Sequence, residues 1–455
     1  MIKRLLIANR GEIASRIIRT CKDMDIHTIA VYSEADQYAP HVRLADESYL
    51  IGPSRAEESY MNMDKIMEAA KKLKADAIHP GYGFHSENPA FAERCRQEGI
   101  IFIGPSTEII RKMGNKSISR KLMKNAGVPV LPGSEGVLTS AAEAVRCANK
   151  IGYPIMLKAS AGGGGIGLQT VNNDEELMQA FASNSKRAKA FFGDGSMFLE
   201  KKLVESHHIE IQIIADSFGN VVHLFERECS IQRRNQKVLE EAPSPFISEE
   251  TRRKMGKAAV KAAKALGYEN VGTLEFLVDE QERFYFLEMN TRIQVEHPVT
   301  EEITGVDLVK TQIDIANGEK LQFRQEQLQI QGHAIETRIY AEDPLSFYPS
   351  PGHIDRFQPP HGENIRNEVA VTENYQVTPF YDPMIGKLIV KGETREAAIE
   401  RLKEALDQYE IKGIKTNLRT LREVAQSEAF IKGQTTTSFI DDHYHPIARN
   451  KQEGI

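Results

Sequence analysis

Five polar side chains recur at every second position near the middle of this 455-residue chain. They lie in the stretch EMNTRIQVEHP and are Glu288, Asn290, Arg292, Gln294 and Glu296. Because side chains of an extended strand alternate between its two faces, this spacing predicts that all five project from one face. Carboxylates and amides are the oxygen ligands that magnesium prefers, and arginine binds anions. The stretch therefore predicts a site for a metal ion and an anion.

A further carboxylate could reach the same metal from a neighbouring strand. Apolar runs at residues 273–278 and 284–287 flank a polar turn, which predicts a β-hairpin. Glu275 lies on the first strand and can share an ion with Glu288. The alternative is an edge strand that turns its polar face to water. We favour the metal site, because acids, an amide and an arginine together suit a metal and an anion better than a solvated surface.

A run of glycines follows Lys158 in the stretch KASAGGGGIGL, residues 158–168. It is not a Walker A loop, because no lysine with a following Ser or Thr comes after the last glycine. Gly162, Gly164 and Gly167 match the dinucleotide fingerprint, but that motif must open a helix, and the residues after it indicate a strand and a turn. The glycines are therefore predicted to join two strands as a flap whose backbone amides can close over phosphates. A flexible surface hairpin remains the alternative.

Short apolar runs followed by loops and helical stretches position these motifs. KRLLIA, HTIAVYS, ADAIHPGYG and GIIFIGPS follow this pattern near the start of the chain, which predicts a parallel, doubly wound sheet. A helix closed by Gly127 and a new unit at VPVLPGSEG come next. A polar, Gln-rich stretch at 317–332 precedes the strand-like HAIETRIYA. We expect an α/β protein of several packed units.

Composition excludes several classes of protein. The formal net charge of −6 argues against binding to nucleic acid, whose phosphates would repel the chain. The four cysteines are far apart and form no CxxC pair, so neither a zinc site nor a disulfide framework is predicted. The apolar run before Asn9 is too short for a signal peptide, and we find no stretch suited to a membrane helix. We expect a cytoplasmic enzyme with small substrates and no membrane partner.

Eight motifs, in order, resemble those of the biotin carboxylases, which are ATP-grasp enzymes. They are LLIANRGEIA, HPGYGF.SEN, IFIGPS, GYP..LKAS.GGGG, HIEIQ, QRR.QKV.EEAP, EMNTRIQVEHPVTE and YDPMIGKLIVKG. The resemblance implies an α/β (α+β) ATP-grasp fold with an N-terminal doubly wound pre-ATP-grasp domain and a C-terminal biotin carboxylase domain. The implied boundaries are 1–113, 114–330 and 331–446, with a lid subdomain at about 130–203.

The resemblance also implies the reaction. Biotin on a carrier protein would be carboxylated with ATP and bicarbonate, through carboxyphosphate, as the first half-reaction of an acetyl-CoA, acyl-CoA or pyruvate carboxylase, for example in fatty acid biosynthesis. Mg²⁺ or Mn²⁺ is the implied metal, and a homodimer is implied. The chain contains no Met-Lys-Met biotinylation tract and ends at Ile455, so we expect the biotinylated carrier protein and the carboxyltransferase on separate subunits.

Site residues follow from the resemblance by motif position. The residues implied to bind ATP are Lys116, Lys158, Gly164, Gly165, Glu200, Lys201, Leu203, His208, Gln232 and Asn235. Those implied to hold the metal are Glu275 and Glu288, assisted by Asn290. Those implied to bind bicarbonate are Lys237, Arg292, Gln294 and the Val295 backbone. Glu296 is implied as the general base that takes the bicarbonate proton, and Arg338 as the group that stabilises the biotin anion.

Residue type alone predicts otherwise for three of these positions. His208 would be an exposed strand residue, Lys237 a solvated loop charge and Arg338 an ordinary exposed arginine. Their functional roles are therefore implied by the resemblance only. The basic run at 252–254 lies in a helical stretch and is predicted to be a solvated face rather than a docking patch.

The chain departs from the family pattern in the lid and beside the ATP site. Ala161, Ile166 and Leu168 replace a glycine, an arginine and a methionine expected there, so a positive charge near the phosphates is missing. Asn235 replaces a histidine but can still form hydrogen bonds, and His85 replaces an apolar residue. We predict that activity persists, with weaker ATP binding or altered lid closure.

Two other functions are compatible with these motifs. Another ATP-grasp ligase that uses carboxyphosphate, for example to make a carbamoyl group, would share the lid and the metal ligands. A non-catalytic ATP-binding regulator of a carboxylase complex would tolerate the altered lid. The joint presence of Glu275, Glu288, Arg292, Glu296 and Arg338 argues against the regulator. Bicarbonate-dependent ATP turnover separates both from the carboxylase.

Overall fold

A computed structural model describes residues 1–160 and 168–444 of the chain. The predicted lid glycines Gly164 and Gly165 lie outside the described residues, as do Ala161 and Ile166. The mixed α/β fold expected from the sequence is confirmed. Its main elements are a parallel sheet, a small lid sheet and a large antiparallel sheet.

The first unit is a five-stranded parallel sheet with the strand order β3-β2-β1-β4-β5. Its strands are β1 (Arg4–Ile7), β2 (His27–Ser33), β3 (Glu47–Gly52), β4 (Ala77–His79) and β5 (Ile101–Phe102). Its helices are α1 (Gly11–Asp23), α2 (Pro40–Leu44), α3 (Met63–Lys72), α4 (Pro89–Gln97) and α5 (Thr107–Met113). The central strands are apolar runs because helices cover both faces of such a sheet. The predicted doubly wound sheet is confirmed.

The second unit carries the glycine-rich stretch. Its helices are α6 (Lys116–Asn125), α7 (Ala141–Ile151) and α8 (Asp174–Phe192), and its strands are β6 (Ile155–Ala159), β7 (Gln169–Val171) and β8 (Met197–Lys201). Strands β6 and β7 pair antiparallel, with Leu157 opposite Gln169, so the predicted hairpin around the glycines is confirmed. Helices α7 and α8 pack on this sheet and enclose a separate apolar core.

An eight-stranded sheet forms the centre of the molecule, with the order β13-β12-β9-β10-β11-β14-β19-β17. Its first strands are β9 (His207–Ala215), β10 (Val221–Arg233), β11 (Gln236–Ala242), β12 (Asn270–Val278) and β13 (Phe284–Asn290). The helices that follow or cover them are α9 (Glu249–Leu266), α10 (His297–Thr304) and α11 (Leu308–Ala316). One apolar core joins α1 of the first unit to β10, β12 and α11. The parallel sheet is thereby fixed against the large one.

The C-terminal elements extend the same sheet. Their strands are β14 (His333–Tyr340), β15 (Gly352–His353), β16 (Arg356–Gln358), β17 (Ile365–Val369), β18 (Gln376–Val377), β19 (Met384–Gly392) and β20 (Glu410–Lys412). Their helices are α12 (Arg395–Gln408), α13 (Leu418–Gln426) and α14 (Glu428–Ile431). Strand β11 pairs with β14, and Leu239 lies opposite Thr337, so the sheet is continuous across residue 330.

The basic run at 252–254 lies on α9 as predicted, but Arg252 is not solvated, because its Nε donates to Glu226 at 2.7 Å and its side chain is largely buried. All four cysteines are free thiols. Among the described residues, no helix combines the length and the apolar character needed to cross a membrane.

Candidate active site

The hairpin of β12 and β13 brings the two predicted metal-binding acids together. Glu275 lies directly opposite Glu288 in the antiparallel register. The alternative of a solvated edge strand is wrong in its main point: β13 is at the edge of the sheet, but Glu275 and Asn290 are buried. The predicted hairpin is thus confirmed, with Glu275 and Asn290 buried and Glu288 half-buried.

The predicted single stripe of five side chains is wrong beyond Asn290. Strand β13 ends there, and residues 291–296 form an irregular turn that leads into α10. The chain leaves the sheet because the backbone N–H of Thr291 donates to the carboxylate of Glu87 at 3.0 Å instead of to a strand. The turn nevertheless returns Gln294 to Glu275, with its Nε2 2.7 Å from Oε1.

Glu275 is surrounded by donors. Its Oε1 accepts hydrogen bonds from Asn290 Nδ2 at 2.8 Å and from Lys237 Nζ at 3.0 Å, while His208 Nε2 lies 3.0 Å from Oε2. Burial acts to raise the pKa of Glu275, but the charges of Lys237 and His208 hold it below its ordinary value. Glu275 is therefore an anion in the folded protein.

Glu288 differs from Glu275 in its surroundings. Burial and the nearby charge of Glu275 raise the pKa of Glu288 above its ordinary value. Two crowded carboxylates of this kind fit a divalent cation, which would neutralise both and takes oxygen ligands. Asn290 is a weaker candidate as placed, because its Oδ1 accepts from Arg292 at 2.9 Å. Ligand atoms of His208, Glu210 and Glu275 also lie within 4.8 Å of one another.

Glu296 lies between two cations at the start of α10. Lys237 Nζ is 2.6 Å from its Oε1, and Arg338 is 3.0 Å from its Oε2. Burial acts to raise the pKa of Glu296, but the charges of Lys237 and Arg338 hold it well below its ordinary value. Lys237 also donates to Glu210 at 2.6 Å, and Arg338 Nε donates to Glu240 at 2.6 Å.

The expectations from residue type alone are wrong for His208, Lys237 and Arg338. None is exposed: His208 and Arg338 are buried, and the side chain of Lys237 retains 12% of its accessible surface. The reason is that α10 packs against β11 and β14, where Glu296 contacts Lys237 and Arg338, while His208 is enclosed by side chains of neighbouring strands. A polar alternation within an isolated strand does not reveal that its polar face is covered by other elements.

The residues implied to bind ATP fall into two groups. Lys158 on β6 contacts Glu200 on β8, which also accepts from Arg120 at 3.0 Å. In the second group, Gln232 Nε2 lies 2.9 Å from His208 Nδ1, and His208 in turn contacts Glu275. The charge of Lys116, at the first position of α6, acts on Glu288.

The other three described residues that are implied to bind ATP lie at the end of β8, just after it, and in the turn after β10. The Nζ of Lys201 donates to the carbonyl oxygens of Gly152 and Tyr153, at 3.0 and 2.8 Å, so its side chain fastens the lid. Leu203 is half-buried just after β8. Asn235 is exposed in the turn between β10 and β11, with a φ of 62°.

Three of the residues implied to bind bicarbonate lie in the turn after β13, and the fourth, Lys237, lies on β11. Arg292 donates to Glu87 at 3.0 Å, and Gln294 is buried. The carbonyl oxygen of Val295 accepts from Lys387 at 2.6 Å. The turn thus presents a guanidinium, an amide and a backbone segment close to Glu296, as an anion site requires.

Five residues that contact the site were not predicted from the sequence. They are Glu87, Glu210, Arg227, Glu240 and Lys387. Four of them lie inside motifs quoted above, namely HPGYGF.SEN, HIEIQ, QRR.QKV.EEAP and YDPMIGKLIVKG, so their motif membership was the available signal. Arg227 lies in no such motif, and only its position on β10 brings it to the turn.

Models of three protein families match consecutive parts of the chain. The family described as "Biotin carboxylase, N-terminal domain" matches residues 1–110. "Carbamoyl-phosphate synthase L chain, ATP binding domain" matches 115–324, and "Biotin carboxylase C-terminal domain" matches 336–442.

Relatives of known name cover nearly the whole chain. Biotin carboxylase 2 of Bacillus subtilis is 60% identical over 97% of this chain and 100% of its own length. The small subunit of 2-oxoglutarate carboxylase from Hydrogenobacter thermophilus is 49% identical over 98% of this chain and 94% of its own.

Solved structures share the fold. The biotin carboxylase domain dimer of Hydrogenobacter thermophilus 2-oxoglutarate carboxylase, in complex with MgADP, ADP and bicarbonate, has a TM-score of 0.95 and 49% identity and covers 98% of both chains. Biotin carboxylase of Campylobacter jejuni has a TM-score of 0.95 and 48% identity, covering 97% of this chain and 99% of its own. Sequence, fold and site lead to one assignment: the chain belongs to the biotin carboxylase family of ATP-grasp ligases, which carboxylate biotin with ATP, Mg²⁺ and bicarbonate.

Proposed function

We propose that this chain carries out the first half-reaction of a multi-subunit biotin-dependent carboxylase, with a separate biotinylated carrier protein as its macromolecular substrate. The observation that carries the proposal is the position of Glu296, held between Lys237 and Arg338 and close to the Glu275 and Glu288 pair. The arrangement supports one site in which a phosphate, an anion and a third reactant meet. A purely ATP-binding protein has no need of the second half of this site.

Nucleotide binding is assigned to the lid side of the site. Lys116 and Lys158 would contact the ATP phosphates, with Gly164 and Gly165 in the lid above them. Glu200, Lys201 and Leu203 would contact the adenine mainly through backbone groups, and the other nucleotide contacts would come from His208, Gln232 and Asn235. Glu275 and Glu288, assisted by Asn290, would hold Mg²⁺ or Mn²⁺. The metal, when bound, supplies positive charge that neutralises the phosphates during phosphoryl transfer.

Bicarbonate is assigned to the turn after β13. Arg292, Gln294, the Val295 backbone and Lys237 would bind the anion. Glu296 takes the proton of bicarbonate, and the freed oxygen attacks the γ-phosphorus, which gives carboxyphosphate as the bond to ADP breaks. While no anion is bound, the charges of Lys237 and Arg338 lower the pKa of Glu296, and Glu296 is therefore a weak base. A bound anion shares those charges, and the pKa of Glu296 then rises towards the range a base needs.

Arg338 is assigned to the biotin end of the site. The ureido proton of biotin passes to the phosphate group of carboxyphosphate as that group leaves, which puts a negative charge on the ureido oxygen, and a nearby guanidinium stabilises that charge. The buried contacts of Arg338 support this role, because Glu240 contacts both Nε and Nη2 and fixes the guanidinium, while Nη2 also contacts Glu296. The carboxyl group then moves from carboxyphosphate to the ureido nitrogen, and phosphate is released.

Assembly and location are assigned from the relatives and from the chain itself. The Hydrogenobacter structure is a dimer, and relatives are named as subunits of larger carboxylases. We therefore propose a homodimer that works with carrier and carboxyltransferase subunits. Four free thiols support a reducing, cytoplasmic compartment. Domains at 1–113, 114–330, with a lid at about 130–203, and 331–446 are proposed units of this chain.

The test is ADP release by the purified protein with Mg²⁺ and ATP, with and without bicarbonate, free biotin and a biotinylated carrier. Turnover that needs bicarbonate and rises with biotin or carrier supports the carboxylase. Turnover that needs bicarbonate but ignores both biotin forms points to a different ligase that uses carboxyphosphate. ATP binding without turnover in every combination points to a regulator.

A further inference from the structure

The turn at residues 291–296 has no regular structure, yet it must hold an amide, a backbone segment and a base in fixed directions. We propose that Arg227 and Lys387 are positioning residues that fix this turn from two different strands, and this inference rests on the proposed function. Neither residue would touch bicarbonate. Each would act through a neighbour in the turn, Arg227 through Gln294 and Lys387 through Val295.

Arg227 is completely buried in β10, and all of its donors are used. A guanidinium has five N–H groups in a planar fork. The five acceptors are Glu210 for Nε, Gln212 and Thr300 for Nη1, and Thr273 and Gln294 for Nη2. Because every donor has its own acceptor, the guanidinium has one orientation, and it can serve as a fixed reference for the groups around it.

The contact with Gln294 determines which end of that amide faces the site. The Oε1 of Gln294 accepts from Arg227 at 2.6 Å, so its amide nitrogen must point the other way. There Nε2 donates to Glu275 at 2.7 Å and lies 3.3 Å from Glu210. An anion needs N–H groups, and the reversed amide would present an oxygen to it. Arg227 thereby selects the orientation that can bind bicarbonate.

Lys387 acts on the next peptide. Its side chain is completely buried in β19, and its Nζ donates to the carbonyl oxygen of Val295 at 2.6 Å. The same Nζ lies 3.3 Å from Glu12 on α1. A peptide group is planar, so fixing this carbonyl fixes the backbone that enters Glu296. Elements from the two ends of the chain thus meet at the peptide that carries the base.

A purely structural role makes a different prediction. A buried arginine beside a glutamate also contributes to folding, and removing either partner is destabilising wherever it lies. Arg252 provides the matched control: it is a largely buried arginine that pairs with the buried Glu226, on α9 outside the proposed site. Substitution of Arg252 should lower stability without affecting bicarbonate.

The experiment compares Arg227→Lys, Lys387→Met and Arg252→Lys with the natural protein. Lysine keeps the charge beside Glu210 but lacks the fork that reaches Gln294. For Arg227→Lys we expect KM for bicarbonate to rise about tenfold, as loss of one oriented hydrogen bond to a charged ligand would cause, with KM for ATP changed less than about threefold. For Lys387→Met we expect kcat to fall about tenfold at saturating bicarbonate. Arg252→Lys should change neither constant.

A second readout separates this inference from the proposed reaction. Bicarbonate should raise the melting temperature of the natural protein in the presence of MgADP, by linkage, and should raise it much less for Arg227→Lys. This shift is measurable even if the natural protein releases no ADP, which would overturn the proposed function alone. The inference is overturned if Arg227→Lys keeps the natural KM and thermal shift, or if its defects match those of Arg252→Lys.

Discussion

Arg338 lies 3.0 Å from Oε2 of Glu296, although the two residues are 42 positions apart in the sequence and belong to different elements. The pair joins the end of the site where bicarbonate would lose its proton to the end where biotin would receive the carboxyl group. Substitution of Glu296 and substitution of Arg338 should therefore affect different steps.

Glu296→Gln should abolish bicarbonate-dependent ADP release, with a fall of at least about 100-fold in kcat. A glutamine has nearly the same shape but cannot take a proton, and loss of a general base has an effect of about this size. Binding of ATP, measured by calorimetry, should persist because Glu296 is not among the residues assigned to the nucleotide or to the metal. Turnover within about tenfold of the natural rate would show that another group is the base.

Arg338→Gln should separate the two half-steps. Biotin-stimulated turnover should fall at least about 100-fold, because the ureido anion loses its stabilising charge. Slow ADP release that needs bicarbonate but not biotin should continue, since Lys237 still contacts Glu296. The measurement is ADP release with and without biotin. Equal losses in both conditions would contradict the assignment of Arg338 to the biotin end.

Glu288→Gln should raise the Mg²⁺ concentration for half-maximal turnover about tenfold or more. The substitution removes one of two facing carboxylates, and magnesium binds neutral amides more weakly than charged carboxylates. A titration of activity against Mg²⁺ at fixed MgATP measures the shift. Glu363→Gln, at an exposed position, is the control for loss of one negative charge. An unchanged Mg²⁺ requirement would place the metal elsewhere.

Ile166→Arg should lower KM for ATP several-fold. The substitution restores the cation that the family pattern has in the lid, where it would pair with the phosphates. Ile166 lies outside the described residues, so this prediction comes from the sequence alone. Initial rates over a range of ATP concentrations measure it. If KM for ATP stays the same, the missing arginine does not weaken binding.

Stability should fall as the pH decreases from 7 to 5, in part because of His41. Burial lowers the pKa of His41 from 6.5 to about 4. Between these values the unfolded chain binds a proton at this position and the folded chain does not, so acid favours unfolding. The contribution of His41 is about 2 kcal/mol between pH 7 and 5.

His41→Asn should reduce the pH dependence of the free energy of unfolding by about that amount, measured by urea denaturation at both pH values. Burial also lowers the pKa of His79, His85 and His297. These histidines act in the same direction and remain in the variant, so only the difference between the two proteins is compared. His361→Asn, at an exposed position, controls for the change of residue type. If the free energy of unfolding changes with pH by the same amount in the natural protein and in the variant, the assignment to His41 is wrong.

Much of the site was predictable because the two acids at its centre are close together in the sequence. Glu275 and Glu288 lie on two strands joined by a short turn, and period-2 alternation with a polar turn predicts such a hairpin. The glycine-rich hairpin was predictable for the same reason. The parallel sheet followed from the repeated order of strand, loop and helix.

The rest depends on contacts between distant segments. The stripe prediction failed after Asn290 because the N–H of Thr291 pairs with Glu87, a residue 204 positions away. Burial of His208, Lys237 and Arg338 depends on which strands lie beside theirs, and alternation within one strand carries no such information. Their roles could be predicted only through the family resemblance.

The continuity of the large sheet across residue 330 limits how this enzyme can be rebuilt. Lys237 and Arg338 lie on the directly paired strands β11 and β14, so the spacing between the two cations that flank Glu296 is set by backbone hydrogen bonds. A chimera joined at residue 330 would combine β11 of one enzyme with β14 of another. A segment taken from a relative should therefore disturb the site less when it replaces the lid, whose strands form a separate sheet, than when it is joined at residue 330.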